Sequence, residues 1–129
     1  MRFFILNLLI LFVCFNVKSQ TTDFKLSLSS DNVSDIAKQN NGLVWVATDE
    51  GLNVFYDNEN HVFYSDIQDS LSILNSKINS LKATSNDNLI ALSQDGLSVF
   101  NPEEFNFIQI RLGSKPISIV EDDIDNKYW

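Results

Sequence analysis

One pattern occurs twice in this sequence and limits what the chain can fold into. Residues 42–56 read GLVWVATDEGLNVFY, and residues 88–100 read NLIALSQDGLSVF. Setting Val33 on Ile78 keeps a constant offset of 45 as far as Asp57 on Pro102. Along it Asn41/Asn86, Gly51/Gly96, Leu52/Leu97, Val54/Val99 and Phe55/Phe100 are identical. Thr48/Ser93 and Glu50/Asp95 keep their chemistry, while Ile36/Leu81 and Val44/Leu89 keep their apolar character. Internal repetition at this period means that one supersecondary unit is stacked on copies of itself, because a single unit cannot bury its own apolar face.

The unit reads as β structure. Residues 43–47 form an apolar run of strand length, rich in β-branched and aromatic side chains. Asp49, Glu50 and Gly51 supply a turn, with Gly51 free to take the positive φ a hairpin needs. Leu52, Val54 and Tyr56 then alternate with Asn53 and Phe55, the period of a strand. Thr48 and Ser93 are placed to bond turn backbone groups. Four strands are expected per copy, at 33–39, 43–48, 52–57 and 61–65, then at 78–84, 89–93, 97–101 and 105–110. Turn-rich punctuation at 40–42, 57–60, 85–87 and 101–104 separates them. Residues 66–77 join the copies and carry Leu71, Ile73 and Leu74, which predicts a short helical turn or an ordered crossover packed on a sheet.

Four short strands recurring every forty to fifty residues match the period of β-propeller blades. A third copy starts at Pro116, with Ile117 on Ile78 at an offset of 39, so that Trp129 falls on Ile90 and therefore on Trp45. The expected fold is all-β: a partial β-propeller of two four-stranded blades (about 33–65 and 78–110) and the start of a third (117–129). A ring needs roughly four to eight blades to close. The expectation is therefore the front end of a longer protein or a truncated reading frame, with the remaining blades as its first partners.

The N-terminus carries a different signal. Arg2 precedes thirteen residues, Phe3 to Phe15, interrupted only by Asn7, and Val17 and Ser19 suit the positions before a cleavage point. This describes a secretory signal peptide over 1–19, cut between Ser19 and Gln20, with the mature chain over 20–129 in the periplasm or outside the cell. The apolar run is shorter than the roughly twenty residues a membrane span requires. Cys14, the single cysteine, follows Val13 rather than the small residue a lipidation site wants, so it reads as part of the signal peptide. Cleavage then leaves no thiol for a disulfide, a metal site or a nucleophile. It also removes Arg2 and Lys18, taking the net charge from −8 to −10. An acidic chain without a basic patch argues against nucleic acid as a partner.

The stretch VSDI (33–36) followed by GLVWVATDEGLNVF (42–55) resembles the two-component regulator propeller repeat, whose pattern is I-x-x-I-x-x-D and then G-x-x-W-I-G-T-x-x-G-L-x-x-F/Y. Asp69 to Ser72 and Asn75 to Ile78 are similar to the connector before the family's next blade, and Ile117 to Asp122 with Trp129 to the start of another. The chain departs from the pattern at Ala47, where Gly is usual, and at Ile90 to Ser93, where W-I-G-T is expected. The resemblance implies the extracytoplasmic sensor of a Bacteroidetes-type hybrid histidine kinase, dimeric in its full-length parent, that responds to breakdown products of polysaccharides. Two other roles keep the same fold: a secreted or surface-associated propeller acting as a binding module of the cell envelope, and the propeller head of a membrane-bound transcriptional regulator.

No catalytic, cofactor or metal residue is expected in the chain itself, and no ligand-binding residue can be named from sequence. His61, the sole histidine, follows a turn into a strand and reads as a surface or pairing residue. Glu121 to Asn126 is an acidic run in which Lys127 stands where a calcium loop wants Gly, so it reads as a solvated turn. Glu103 and Glu104 are adjacent on a turn and do not face one another across a substrate. Trp45 and Trp129 are candidates for stacking on a sugar, as are Tyr56, Phe63 and Tyr64, but Trp45 lies mid-strand and is expected to pack between blades.

Overall fold

The computed structural model describes residues 27–122 and 127–128. The expected signal peptide, its cleavage point between Ser19 and Gln20, Cys14, residues 123–126 and Trp129 lie outside them. Within them the fold is all-β. Strands β1 (Val33–Lys38), β2 (Val44–Thr48), β3 (Leu52–Tyr56) and β4 (Glu59–Phe63) make one antiparallel sheet in chain order. Strands β5 (Ile78–Ala83), β6 (Leu89–Ser93), β7 (Gly96–Asn101) and β8 (Asn106–Arg111) make a second in the same order. A two-stranded ribbon pairs β9 (Glu121–Asp122) with β10 (Lys127–Tyr128). No helix occurs among the described residues.

The repeat seen in sequence is a repeat of register. Trp45 lies opposite Val54 and Ala47 opposite Leu52, while Ile90 lies opposite Val99 and Leu92 opposite Leu97. Both sheets carry a bulge at the same place in the first strand, between Val33 and Asp35 and between Ile78 and Ser80. The central hairpin turns are closed as expected. The Thr48 hydroxyl donates to the Gly51 carbonyl at 2.9 Å and accepts from the Glu50 amide at 3.1 Å, and the Ser93 hydroxyl donates to the Gly96 carbonyl at 3.3 Å. Gly51 and Gly96 have φ of 149° and 144°, a region L side chains rarely enter.

The fourth strand of the first sheet departs from expectation. It starts at Glu59, not His61, because the turn is only two residues long: Asp57 and Asn58, with φ of 46° and 65°. Positive φ at both central residues is the primed hairpin turn whose twist matches that of the strands, and Asp and Asn tolerate it. The second sheet uses four residues instead, 102–105, with Asn101 opposite Asn106 and Phe105 held at φ 54°. The strand-four offset is therefore 47, which sets Ile108 on His61 and Ile110 on Phe63.

The two sheets pack face to face around Trp45. Its ring is fully buried, meets Phe100 edge-on at 4.7 Å, and lies 6.0 Å from Phe63 and 6.3 Å from Phe107. Such ring pairs contribute about 0.5–1.5 kcal/mol each beyond the area they bury. The indole N–H donates to the Gln39 side-chain oxygen at 2.7 Å, and Gln39 is itself buried. Ala47, Leu52 and Val54 share that face, and Leu89, Ala91 and Phe107 meet it from the second sheet. Trp45 thus packs between the sheets, as its place in an apolar run predicts.

The segment between the sheets is an ordered crossover without a helical turn. The Asp66 and Asp69 carboxylates accept the amides of Gln68 and Leu71, both at 2.9 Å. Ile73 and Leu74 are buried while Leu71 is half exposed. The Leu74 amide donates to Ser98 Oγ at 2.8 Å, and 45 residues earlier the Ser29 amide donates to Asn53 Oδ1 at 2.9 Å. The repeat therefore begins before Val33. Leu26-Ser27-Leu28 against Leu71-Ser72-Ile73 is the sequence trace of it.

Candidate functional site

A large apolar concavity lies on the face of the second sheet turned away from the first. It encloses about 490 Å³ and is lined by Ile90, Leu92, Leu97, Val99 and Ile110 together with Leu112, Pro116 and Ile119. Asn88 and Ser118 complete its lining. The five sheet residues are the pairing-matched counterparts of Trp45, Ala47, Leu52, Val54 and Phe63. In the first sheet those positions are roofed by the second sheet, and four of them are fully buried. In the second sheet the same positions line a cavity, with Ile90 and Leu92 buried, Leu97 and Val99 partly exposed and Ile110 exposed.

Polar groups secure the covered junction along the edge where β1 meets β5. The Asp35 carboxylate accepts the Leu81 amide at 2.7 Å, and the Ser34 hydroxyl, in the bulge, donates to the Ile78 carbonyl at 2.6 Å. Just past the end of β1 the Asp87 carboxylate accepts the amides of Asn40 at 2.7 Å and Asn41 at 3.2 Å. Gln39 reaches from the Trp45 indole to the Asp87 carbonyl. The turn at Ser85, after the first strand of the second sheet, holds a contact of the same kind. Glu121 accepts the Ser85 amide at 2.9 and 3.0 Å and the Ser85 hydroxyl at 2.5 Å. These donors, the hydroxyl first and the amide second, hold the Glu121 carboxyl below its ordinary 4.5. Glu121 and Asp122 are strand residues, so the acidic run is not all turn as expected, and Glu121 is engaged.

The sequence candidates fall in different places. Trp45 is buried and cannot stack on a ligand. Tyr56, His61 and Phe63 come together with Phe105: His61 lies 5.4 Å from the Phe105 ring and 4.6 Å from that of Phe63, and Tyr56 lies 6.3 Å from Phe105. Tyr64 is exposed beside a shallow hollow lined by Phe63, Leu71 and Phe105. Glu103 and Glu104 stay on the turn between β7 and β8, where Glu104 accepts from Asn106 at 3.0 Å. A polar cleft of about 450 Å³ between the crossover and β8 contains Asp66, Asp69, Asp95, Gln109 and Arg111. There Asn75 donates to the Asp95 carboxylate at 2.6 Å, and the Gln109 side-chain amide donates to the Ser72 carbonyl at 2.9 Å.

Among the described residues no three His, Cys, Asp or Glu side chains are placed to hold a metal ion. The apolar concavity can exclude water and bind apolar surface, and the polar residues of its lining are Asn88 and Ser118. Sequence reading missed the residues of the junction itself. Asp87 read as turn punctuation, and its partners lie 46 to 48 residues away, beyond any local motif.

The geometry defines a class: an all-β protein of repeated four-stranded antiparallel sheets packed face to face, consistent with consecutive propeller blades. No family model and no curated protein matches the chain. Among solved structures it is similar to the extracellular domain of a hybrid two-component system from B. thetaiotaomicron, with a TM-score of 0.56 and 23% identity. That likeness covers 81% of this chain and is a likeness of fold. It covers 14% of the solved chain.

Proposed function

We propose that this chain belongs to the extracytoplasmic sensor of a two-component system of the hybrid histidine kinase type, and contributes two blades and the start of a third to its β-propeller. The observation that carries the reading is the repeated sheet whose open face matches, position for position, the face its neighbour covers. In this reading the module is part of a larger ring. The fold likeness to an extracellular domain and the propeller-repeat motif at 33–55 support the sensor role. The apolar stretch at 3–15 supports export, with residues 1–19 removed between Ser19 and Gln20.

The described residues then perform no chemistry. They form part of the wall against which a ligand settles, at a mouth built from loops of several blades, and a homodimeric parent passes the rearrangement inward. The ligand class is carbohydrate, a breakdown product of polysaccharides. The test uses the full-length gene product in thermal melts against a panel of oligosaccharides. A cognate sugar at about a hundred times its Kd stabilises the folded state by about 2.7 kcal/mol, which raises Tm by several degrees. A panel that moves nothing would remove the carbohydrate assignment. A phosphatase fused after residue 129 that stays inactive in cells would remove the extracytoplasmic one.

A further inference from the structure

We infer that the segment from Pro116 onward leads a third sheet that docks on the open face of the second, and that Glu121 on the Ser85 turn is the latch of that junction. The inference rests on reading the sheets as blades and adds to it the occupant of the cavity and the group that holds it.

Two independent features lead there. The first is the socket. Ile90, Leu92, Leu97, Val99 and Ile110 repeat the five positions through which the first sheet receives the second. Leu97 and Val99 are identical to their counterparts, and Ile90, Leu92 and Ile110 replace Trp45, Ala47 and Phe63 with apolar character kept. The chain itself has begun to fill the socket, since Pro116 and Ile119 stand in its wall.

The second feature is the latch. The turn after the first strand of each sheet has the same backbone bond: the Gly42 amide to the Gln39 carbonyl in one, the Asp87 amide to the Thr84 carbonyl in the other. That bond leaves the amides of Asn40 and, 45 residues on, of Ser85 unused within their turns. In the closed junction a carboxylate from the following repeat, Asp87, takes the Asn40 amide. In the open one a carboxylate from the following repeat, Glu121, takes the Ser85 amide. Asp87 and Glu121 occupy different places in their repeats, so the shared feature is the amide awaiting an anion, not a copied side chain. Ionised acceptors on backbone N–H groups make the stronger class of hydrogen bond, and each here spans two repeats.

Hydrogen exchange resolved by residue on the full chain tests this. In Glu121→Ala the Ser85 amide should exchange roughly tenfold faster or more, with a smaller rise in Glu121→Gln. The Asn40 and Asn41 amides and the β6–β7 ladder should stay as they were, which reports an intact fold. Asp87→Ala should give the mirror pattern. Ile119→Asp, which puts a charge into the socket wall, should also free Ser85 without touching Glu121. An unchanged Ser85 rate in both Glu121→Ala and Ile119→Asp overturns the inference. So does Ser85 protection that disappears once the chain is diluted to monomer, because the occupant is then a second copy. Neither readout depends on a ligand, so failure here is separable from failure of the sensor reading.

Discussion

A β-carbon added at Gly96 would sit 2.1 Å from the Ile110 carbonyl and 3.0 Å from the Leu112 amide, both backbone atoms that cannot swing aside. At Gly51, the matching position, the nearest atoms are at 3.1 Å and include a Val62 methyl. Both residues hold a positive φ that glycine alone adopts freely, and such a conformation costs another residue about 1–3 kcal/mol. Gly51→Ala should therefore destabilise by roughly that amount, and Gly96→Ala by at least about 1 kcal/mol more, as read from urea melts of the two variants. Equal losses would mean that β8 yields. The need for glycine was legible from the repeat, but the difference between the two was not. It depends on how closely β8 approaches Gly96, and strand-to-strand clearance leaves no mark in a one-dimensional pattern. Trp45 shows the same limit. Its burial followed from the apolar run, whereas its bond to Gln39 had no local signal. Trp45→Phe keeps the ring packing and strands the Gln39 oxygen, for an expected loss of about 1–3 kcal/mol in the same melts.

At the scale of elements, the strands that match expectation best are the central ones, where a five-residue apolar run and a glycine turn agree. The fourth strand of the first sheet shifted by two residues. Asp57, Asn58 and Asn60 are all good turn residues, so composition could not choose among them, and only the pairing of Tyr56 with Glu59 settles the turn on Asp57 and Asn58. The contact between the second sheet and β9 was less legible still, since Glu121 was one acid among several and Ser85 stands 36 residues away. That contact has a pH signature. Glu121 titrates below its ordinary 4.5 because the Ser85 hydroxyl and amide favour the ionised form, with Lys82 adding to them against a desolvation cost. A folded-state pKa below the unfolded one means that the contribution is complete above about pH 5 and is lost as the pH falls through the lowered value. The Ser85 amide resonance, followed from about pH 6 to about pH 2, should therefore move with a midpoint under 4.5. A midpoint at or above that value would mean that the Ser85 donors do not hold the carboxylate.

For the whole molecule, the repeat announced the two four-stranded sheets, and a single cross-sheet comparison shows how their matched faces differ. Phe63 and Ile110 hold the same place in their sheets, yet Phe63 packs against the core while Ile110 is 42% exposed. Ile108, Leu112, Ile117 and Val120 are exposed as well. An apolar face of this kind drives association when nothing covers it. Residues 20–129 prepared alone should therefore elute larger than a monomer, increasingly so with concentration, and bind a hydrophobic dye. One charge should act oppositely at the two matched positions. Ile110→Asp should shift the fragment toward monomer with little loss of stability, whereas Phe63→Asp should cost about 3 kcal/mol or more by placing an unpaired carboxylate between the sheets. A fragment that is monomeric with a sharp cooperative melt, and indifferent to Ile110→Asp, would mean that the second sheet is finished as it stands and that its cavity awaits no further sheet.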